Sequence, residues 1–387
     1  MAQYSELSKK MTKELSKKEK KEQGIFITPK SIIQKLFEYV DMSNVTRILE
    51  PSCGTCEIIN YLNETSGISI VGIEKNEKIF KEISKLPFKN VSLIHGDFLD
   101  YKGESFDLIV GNPPYFVLKK ENVPSQYEKY ICGRPNIFGL FILKSLELLK
   151  EDGILAFIIP TSFLNSAYYE LIRKHIVETC SILSIQNYGE MNDFVDTEQS
   201  TMGLIIKKCI PTCFNYSLDM GRVIFTDKLD KINELLVGST TLKKMGLLVR
   251  TGQIVWNQHK DKLSDEGTLL IYNSNLSDEN TIITKTFKND EKKQYIKLKG
   301  RTGTTMVVNR GNGNAAYVLK YAIVTDEPYL IENHLNEIYS KTPIDPSVYE
   351  SIKNSFANPK TQEFIKIFLG NNGLSKTELE TIFPIYL

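Results

Sequence analysis

Apolar positions along the first half of the chain switch repeatedly between two spacings. Ile32, Ile33, Leu36, Phe37 and Val40 recur at the steps of one helix face. Short β-rich runs follow at residues 47–49, 69–73, 91–94, 107–110 and 154–159. Segments of helical length separate them, the clearest being 137–149. Strand–helix alternation of this kind, from about residue 31 to residue 208, predicts an α/β fold with a parallel sheet covered on both faces. Two further runs, 182–188 and 202–207, lie close together and predict an antiparallel pair at the sheet edge. After Cys209 the texture changes. Pro211 and its polar surroundings place a boundary near residues 209–220. The remainder mixes β-like runs, Gly/Asn turns such as Arg310-Gly311-Asn312-Gly313-Asn314, and a helical end. In that end, residues 360–387 read as two short packing helices around Gly370-Asn371-Asn372-Gly373. Three segments result: 1–22, 23–214 and 215–387.

The first segment differs in kind. Lys9, Lys10, Lys13, Lys17, Lys18, Lys20 and Lys21 outnumber Glu6, Glu14, Glu19 and Glu22, and little apolar surface is on offer. A solvated or frayed basic helix is expected there. A length of 387 residues suits two domains. The net charge of +1 excludes a uniformly basic surface and leaves room for a local basic groove. The longest apolar run, 154–160, is far short of the roughly 20 residues that span a bilayer. No apolar stretch follows the lysine-rich start, so a secretory signal is not expected and a cytoplasmic or nuclear compartment is. Six cysteines in so long a chain do not make a disulfide framework. Cys53-x-x-Cys56, with Cys209 and Cys213, is a poor zinc set because the first pair sits in a loop with another explanation, so no metal is expected.

That explanation lies at the strand ends. In a doubly wound sheet, ligands bind outside the carboxyl ends of the strands. The first strand ends at Glu50-Pro51-Ser52-Cys53-Gly54. Gly54 lets backbone approach a ligand closely, and Glu50 suits an amino group; its alternative use is as a charge at a helix start. The second strand ends at Glu74, about twenty positions on, where a carboxylate accepts from a ribose diol. The third closes at His95-Gly96-Asp97-Phe98, with Asp97 placed for an exocyclic amine and Phe98 for a ring face. Each is an ordinary feature alone; three acidic residues at three successive strand ends are less easily accidental. No Gly-x-Gly-x-x-Gly and no phosphate loop is present.

The most specific signal is Asp107-Leu108-Ile109-Val110-Gly111-Asn112-Pro113-Pro114-Tyr115. Two prolines remove backbone donors and stiffen the turn, leaving carbonyl oxygens as acceptors. An adenine amine is a poor nucleophile because its lone pair is delocalised into the ring. The side-chain oxygen of Asn112 and the carbonyl of Pro113 would accept its two hydrogens and localise that pair, and Tyr115 offers a ring for stacking. On these residues the chain resembles the gamma class of DNA adenine-N6 methyltransferases, from about Gly24 to Lys208 and with that class's motif order. The resemblance implies a Rossmann-like class I methyltransferase sheet, S-adenosylmethionine as methyl donor and no metal. It gives cofactor roles to Thr28 (in Ile27-Thr28-Pro29), Glu50, Ser52, Gly54, Glu74, Asp97, Phe98, Asn112 and Phe141. It places Asn112, Pro113, Pro114, Tyr115 and Phe194 around the target base.

A target amine inside a base pair is out of reach, so the resemblance implies a flipped adenine in double-stranded DNA. Sequence reading then falls to a mixed α+β target-recognition domain over 215–387. Arg250, Gln253, Trp256, Asn257, Gln258, His259 and Lys260 form a polar and aromatic cluster there, and Arg301, Arg310 and Asn312 are flanked by glycines. A basic N-terminal arm near DNA phosphate, a cognate restriction endonuclease as companion and a nucleoid location complete what is implied. The rivals are methylation of a protein glutamine amide, methylation of RNA, and a non-catalytic DNA-binding module. The extra domain follows the catalytic one, which disfavours the first; the intact Asn-Pro-Pro-Tyr disfavours the last.

Overall fold

The computed structural model describes residues 4–63, 65–188, 200–212, 214–311, 317–325, 328–369 and 373–387, with backbone alone at Lys21. The chain forms two compact units, Met1–Asp227 and Lys228–Leu387. The first contains, in order, α1 (Glu6–Glu14), α2 (Lys17–Gln23), α3 (Lys30–Phe37), β1 (Arg47–Glu50), α4 (Glu57–Leu62), β2 (Ser69–Glu74), α5 (Glu77–Ile83) and β3 (Val91–His95). It continues through β4 (Phe106–Gly111), α6 (Ile137–Leu148), β5 (Leu149–Pro160), α7 (Glu170–Thr179), β6 (Cys180–Asn187), β7 (Thr201–Lys208), β8 (Ser217–Asp219) and β9 (Val223–Phe225).

Seven strands form one sheet in the order β3-β2-β1-β4-β5-β7-β6. The first five pair in parallel, whereas β7 runs antiparallel to both β5 and β6. The sheet is doubly wound, with the antiparallel pair at the edge as expected from the two closely spaced runs. Side chains alternate across each strand. Leu49, Ile109, Leu155, Phe157 and Ile159 enter one buried layer with α6, while Ile48, Leu108, Val110, Ala156 and Ile158 enter another with Ile33, Leu36 and Ile59. Strands buried on both faces read as continuous apolar runs, which is why their positions were legible. Asn136 caps α6 by accepting from the Phe138 N–H.

Two expectations are corrected here. Residues 4–22 are not a separate solvated segment: Ser8, Met11 and Leu15 are buried in the first unit. These positions are spaced i, i+3, i+7, and so narrow a stripe suffices to seat a helix whose other faces are charged. The boundary also falls at 227 rather than 214, because β8 and β9 belong to the first unit. Val223 and Phe225 of β9 join the first unit's core, and buried arginines fasten the hairpin. Arg173 on α7 is fully buried and donates to the carbonyls of Val223 at 2.7 Å, Phe163 at 2.8 Å and Ser166 at 2.9 Å, and buried Arg222 donates to Asn165 O.

The second unit comprises α8 (Leu229–Leu236), β10 (Ser239–Thr240), β11 (Leu248–Thr251), β12 (Leu263–Ser264), β13 (Thr268–Ile271), β14 (Tyr295–Ile296), β15 (Thr305–Asn309) and β16 (Tyr321–Val324). After these come β17 (Tyr329–Ile331), β18 (Leu335–Tyr339), α9 (Ser347–Phe356), α10 (Pro359–Phe368), α11 (Lys376–Thr381) and β19 (Ile385–Tyr386). Two four-stranded sheets, β11-β18-β15-β16 and β12-β14-β13-β17, form its centre, so it is mixed α+β. Among the described residues no helix is long and apolar enough to cross a membrane.

Arg173→Met should leave three carbonyls without their charged donor. Each buried unsatisfied group costs about 1–3 kcal/mol, so the first unit should lose at least about 3 kcal/mol in chemical denaturation. A loss below about 1 kcal/mol would show that those carbonyls find other donors and that Arg173 does not anchor the β8–β9 hairpin.

Candidate active site

The carboxyl ends of β1, β2, β3 and β4 bring the acidic strand-end residues along one edge of the sheet. Glu50 closes β1 with its carboxyl buried. The Ile59 N–H faces it, but Oε2 has no hydrogen-bond partner among the described residues. Burial pushes this carboxyl well above the usual range, and the neighbouring Cys56, Glu74 and Glu57 push the same way. Glu74 closes β2. Its Oε2 accepts from the Gly54 N–H at 2.8 Å and its Oε1 from the Asn76 N–H at 2.6 Å, which ties the loop after β1 to the end of β2. Burial raises this carboxyl too, opposed by those backbone donors. Asp97 accepts from the Leu99 N–H at 2.9 Å and pairs with Lys75 Nζ at 2.8 Å. Phe98 and Phe141 are both buried, with ring centroids 4.8 Å apart.

A cavity opens beside Glu50, lined among others by Phe26, Thr28, Ser52, Gly54 and Asn112. The structure therefore gathers Thr28, Glu50, Ser52, Gly54 and Asn112 around one space. Glu74 stands behind it, holding Gly54, whereas Asp97, Phe98 and Phe141 are not part of its wall. Met11 and Leu15, from α1 and its end, also line it. Ser8 Oγ lies 2.6 Å from Thr55 Oγ1, and the Ser5 N–H donates to Glu57 at 2.8 Å, so α1 is fastened to the loop and helix that follow β1.

The turn after β4 holds one amide between two partners. Asn112 Nδ2 donates to Thr28 Oγ1 at 3.1 Å and faces the Phe26 carbonyl at 3.4 Å. A carbonyl only accepts, which fixes the nitrogen on that side and turns Oδ1 the other way. Oδ1 accepts from the Tyr115 hydroxyl, which also lies 2.8 Å from the carbonyl of Ile158 on β5. Burial drives the Tyr115 phenol far above its ordinary value, so it stays a proton donor. Ser52 Oγ donates to the Asn112 carbonyl at 3.3 Å, and Pro113 is buried. The Tyr115 ring stacks on Phe26 with centroids 5.8 Å apart at 25°, and Phe138 meets it edge-on.

Phe26, Gly24, the Ile158 carbonyl and α1 were absent from the sequence-based set. Gly24 has φ +61°, and a Cβ there would lie 2.8 Å from Tyr115 N. Its position just ahead of Ile27-Thr28-Pro29 was the available signal; the Ile158 carbonyl had none. Phe194 and Asn312 lie outside the described residues. In the second unit, Arg250, Gln253 and Arg301 come together, whereas Lys260 is paired with Glu291 at 2.6 Å and Arg310 donates to Asn333 O at 2.9 Å.

Gly24→Ala and Gly67→Ala form a controlled pair. Both positions have positive φ, but a Cβ at Gly67 meets nothing within 4 Å. Left-handed strain alone costs about 1–2 kcal/mol. Gly24→Ala should cost more than Gly67→Ala in denaturation midpoints, because the Tyr115 backbone must shift; equal losses would mean that the segment yields freely.

The Eco57I restriction-modification methylase family model matches residues 55–194. The chain is 30% identical over 398 residues to the modification methylase CviBIII of Paramecium bursaria Chlorella virus NC1A, covering 99% of each chain. It is 28% identical to the type II methyltransferase M.CvrRI of Paramecium bursaria Chlorella virus XZ-6E, covering all of both. A solved putative class I S-adenosylmethionine-dependent methyltransferase of Listeria monocytogenes is 20% identical at TM-score 0.44, covering 52% of this chain and 65% of that one. Full-length identity to a modification methylase, together with the family match across β2 to β6, means that the chain belongs to the restriction-modification DNA methyltransferases.

Proposed function

We propose that this methyltransferase acts on N6 of adenine in double-stranded DNA, with S-adenosylmethionine as donor. The observation that carries the reading is the Asn112 amide, with Nδ2 bound by Thr28 and Phe26 and Oδ1 directed away from them beside the cavity. One lone pair of Oδ1 is used by the Tyr115 hydroxyl; a second remains for an amine hydrogen. The Pro113 carbonyl is the other acceptor. Both bonds strengthen as the nitrogen becomes more positive during transfer, so they favour the transition state over the bound substrate. The Tyr115 ring, anchored through its hydroxyl, is the stacking surface for an extruded base.

Two observations fit the cavity to the donor. Glu50 Oε2 is a buried acceptor without a partner among the described residues, and a Cβ added at Gly54 would meet nothing within 4 Å. Glu50 would hold an ammonium group. Glu74, already held by the backbone N–H groups of Gly54, Asn76 and Lys75, is assigned to the ribose diol by resemblance. Thr28, Ser52 and Asn112 would complete the wall, with Asp97, Phe98 and Phe141 assigned to the adenine end by resemblance. When bound, S-adenosylmethionine supplies a methyl group on sulfonium sulfur, an electrophile that leaves behind a neutral thioether.

Asn112→Ala should lower methyl transfer to DNA at least about a hundredfold while donor and DNA affinities stay within a few-fold. Tritiated methyl transfer to DNA, RNA and protein in parallel, with digestion to identify the methylated nucleoside, is the measurement. Near-normal turnover of the variant, or label on cytosine, would refute the reading.

Burial holds the Glu50 carboxyl toward its neutral form, and an ammonium beside it would favour the carboxylate. The value falls on binding, so a proton leaves and donor affinity should rise with pH until Glu50 is ionised without ligand. Calorimetry in two buffers of different ionisation enthalpy should detect that proton in the wild type and not in Glu50→Gln. Equal proton release in both would remove Glu50 from the ammonium site.

A further inference from the structure

Glu337 lies on β18 with its side chain almost wholly buried, and two arginines converge on it. Arg250, its register partner on β11, donates Nε to Oε2 at 2.6 Å and Nη2 to Oε1 at 2.8 Å. Arg301 donates Nη1 to the same Oε2 at 2.6 Å and Nη2 to Gln253 Oε1 at 2.8 Å. Thr305 Oγ1 approaches the remaining side of the carboxylate at 3.4 Å, and the Tyr339 ring lies 4.1 Å from the Arg250 guanidinium carbon. Both arginine side chains remain part-exposed.

The charges do not balance, since two guanidinium groups share one carboxylate. Each guanidinium carries five N–H donors and spends two on the contacts above, which leaves further donors on each part-exposed side chain. Gln253 uses its carbonyl on Arg301, which leaves its amide N–H groups as further donors. A buried carboxylate with two cations is weak as a stabilising device, because desolvation offsets the attraction. What it does achieve is orientation: two long side chains are fixed as planar donors at one place on the surface, with their rotamer entropy already spent.

We infer that Arg250 and Arg301 are the base-reading donors of the second unit and that Glu337 is their positioning residue. This rests on the reading of duplex DNA as substrate. The ligand chemistry is a pair of acceptors in one plane, which a guanine presents as O6 and N7 in the major groove. A phosphate is gripped by the same fork, but it carries no sequence information, so only a base contact changes which site is methylated.

The test turns on that difference. Arg250→Lys and Arg301→Lys keep the charge and lose the fork; Glu337→Gln keeps the volume and loses the anchor. Each full-length variant would methylate bacterial genomic DNA, and single-molecule long-read sequencing would give the modified motif. Rates would be measured on oligonucleotides carrying the wild-type site and its single-base changes. At a guanine position of the site, an Arg→Lys variant should lose about 5- to 150-fold of its preference over the other bases. Glu337→Gln should relax the same position, with an unchanged unfolding profile and protease resistance of the second unit as evidence of folding. Unaltered preference at every guanine would overturn the inference. So would a uniform loss across all sequences, which marks a phosphate contact. Methylation of a base other than adenine would refute the proposed chemistry and leave this inference standing.

Discussion

One amide sets the arrangement of the catalytic loop. Asn112 has Nδ2 bound to Thr28 and facing the Phe26 carbonyl, while Oδ1 meets a phenol too deeply buried to ionise. Those two constraints decide which end of the amide accepts. They come from opposite directions along the chain: residues 26–28 precede the sheet, and the one hydrogen of the Tyr115 hydroxyl is shared between Asn112 Oδ1 and the Ile158 carbonyl on β5. Three pieces of the first unit must therefore be in register before the acceptor exists. Gly24 permits the approach, because nothing larger than hydrogen fits against the Tyr115 nitrogen.

The cofactor side obeys a related logic with different chemistry. Buried carboxylates are expensive unless hydrogen bonds compensate them. Glu74 meets that cost with backbone N–H groups from Gly54 and Asn76, and in doing so it shapes the loop around the cavity. Glu50 leaves it partly unmet, which is why its carboxyl leans toward the neutral form. A group that is costly alone and would be relieved by a cation fits the ammonium-binding role proposed for it. Glu337 in the second unit is the opposite case, a buried carboxylate fully engaged by two arginines, whose value lies in where it points them.

The α/β order of the first unit was legible because each strand is a short apolar run between helices, and burial on both faces makes such runs continuous. Edges of elements were displaced by a residue or a few, as with β5, which begins at Leu149 rather than near Ile154. The N-terminal helix was misread since its lysines dominate the composition, and only Ser8, Met11 and Leu15 form the stripe that seats it. The domain boundary was placed early because Pro211 and its polar neighbours look like a linker. Residues that hold the hairpin there, Arg173 and Arg222, are charged and read as surface, yet they are buried and donate to carbonyl oxygens.

What the sequence determined by itself is local. Asn112-Pro113-Pro114-Tyr115 is a rigid turn with acceptors wherever it stands, and acidic residues at the ends of Glu50, Glu74 and Asp97 strands follow from spacing within single elements. What only the tertiary structure decided is which distant groups meet. The Phe26 ring against Tyr115, α1 along the cavity and Arg301 beside Arg250 on one carboxylate all join residues far apart in the chain. Periodicity reports the face that a residue occupies and is silent about its partner on the facing element. That partner depends on strand order and register, which are properties of the assembled sheet rather than of any segment in it.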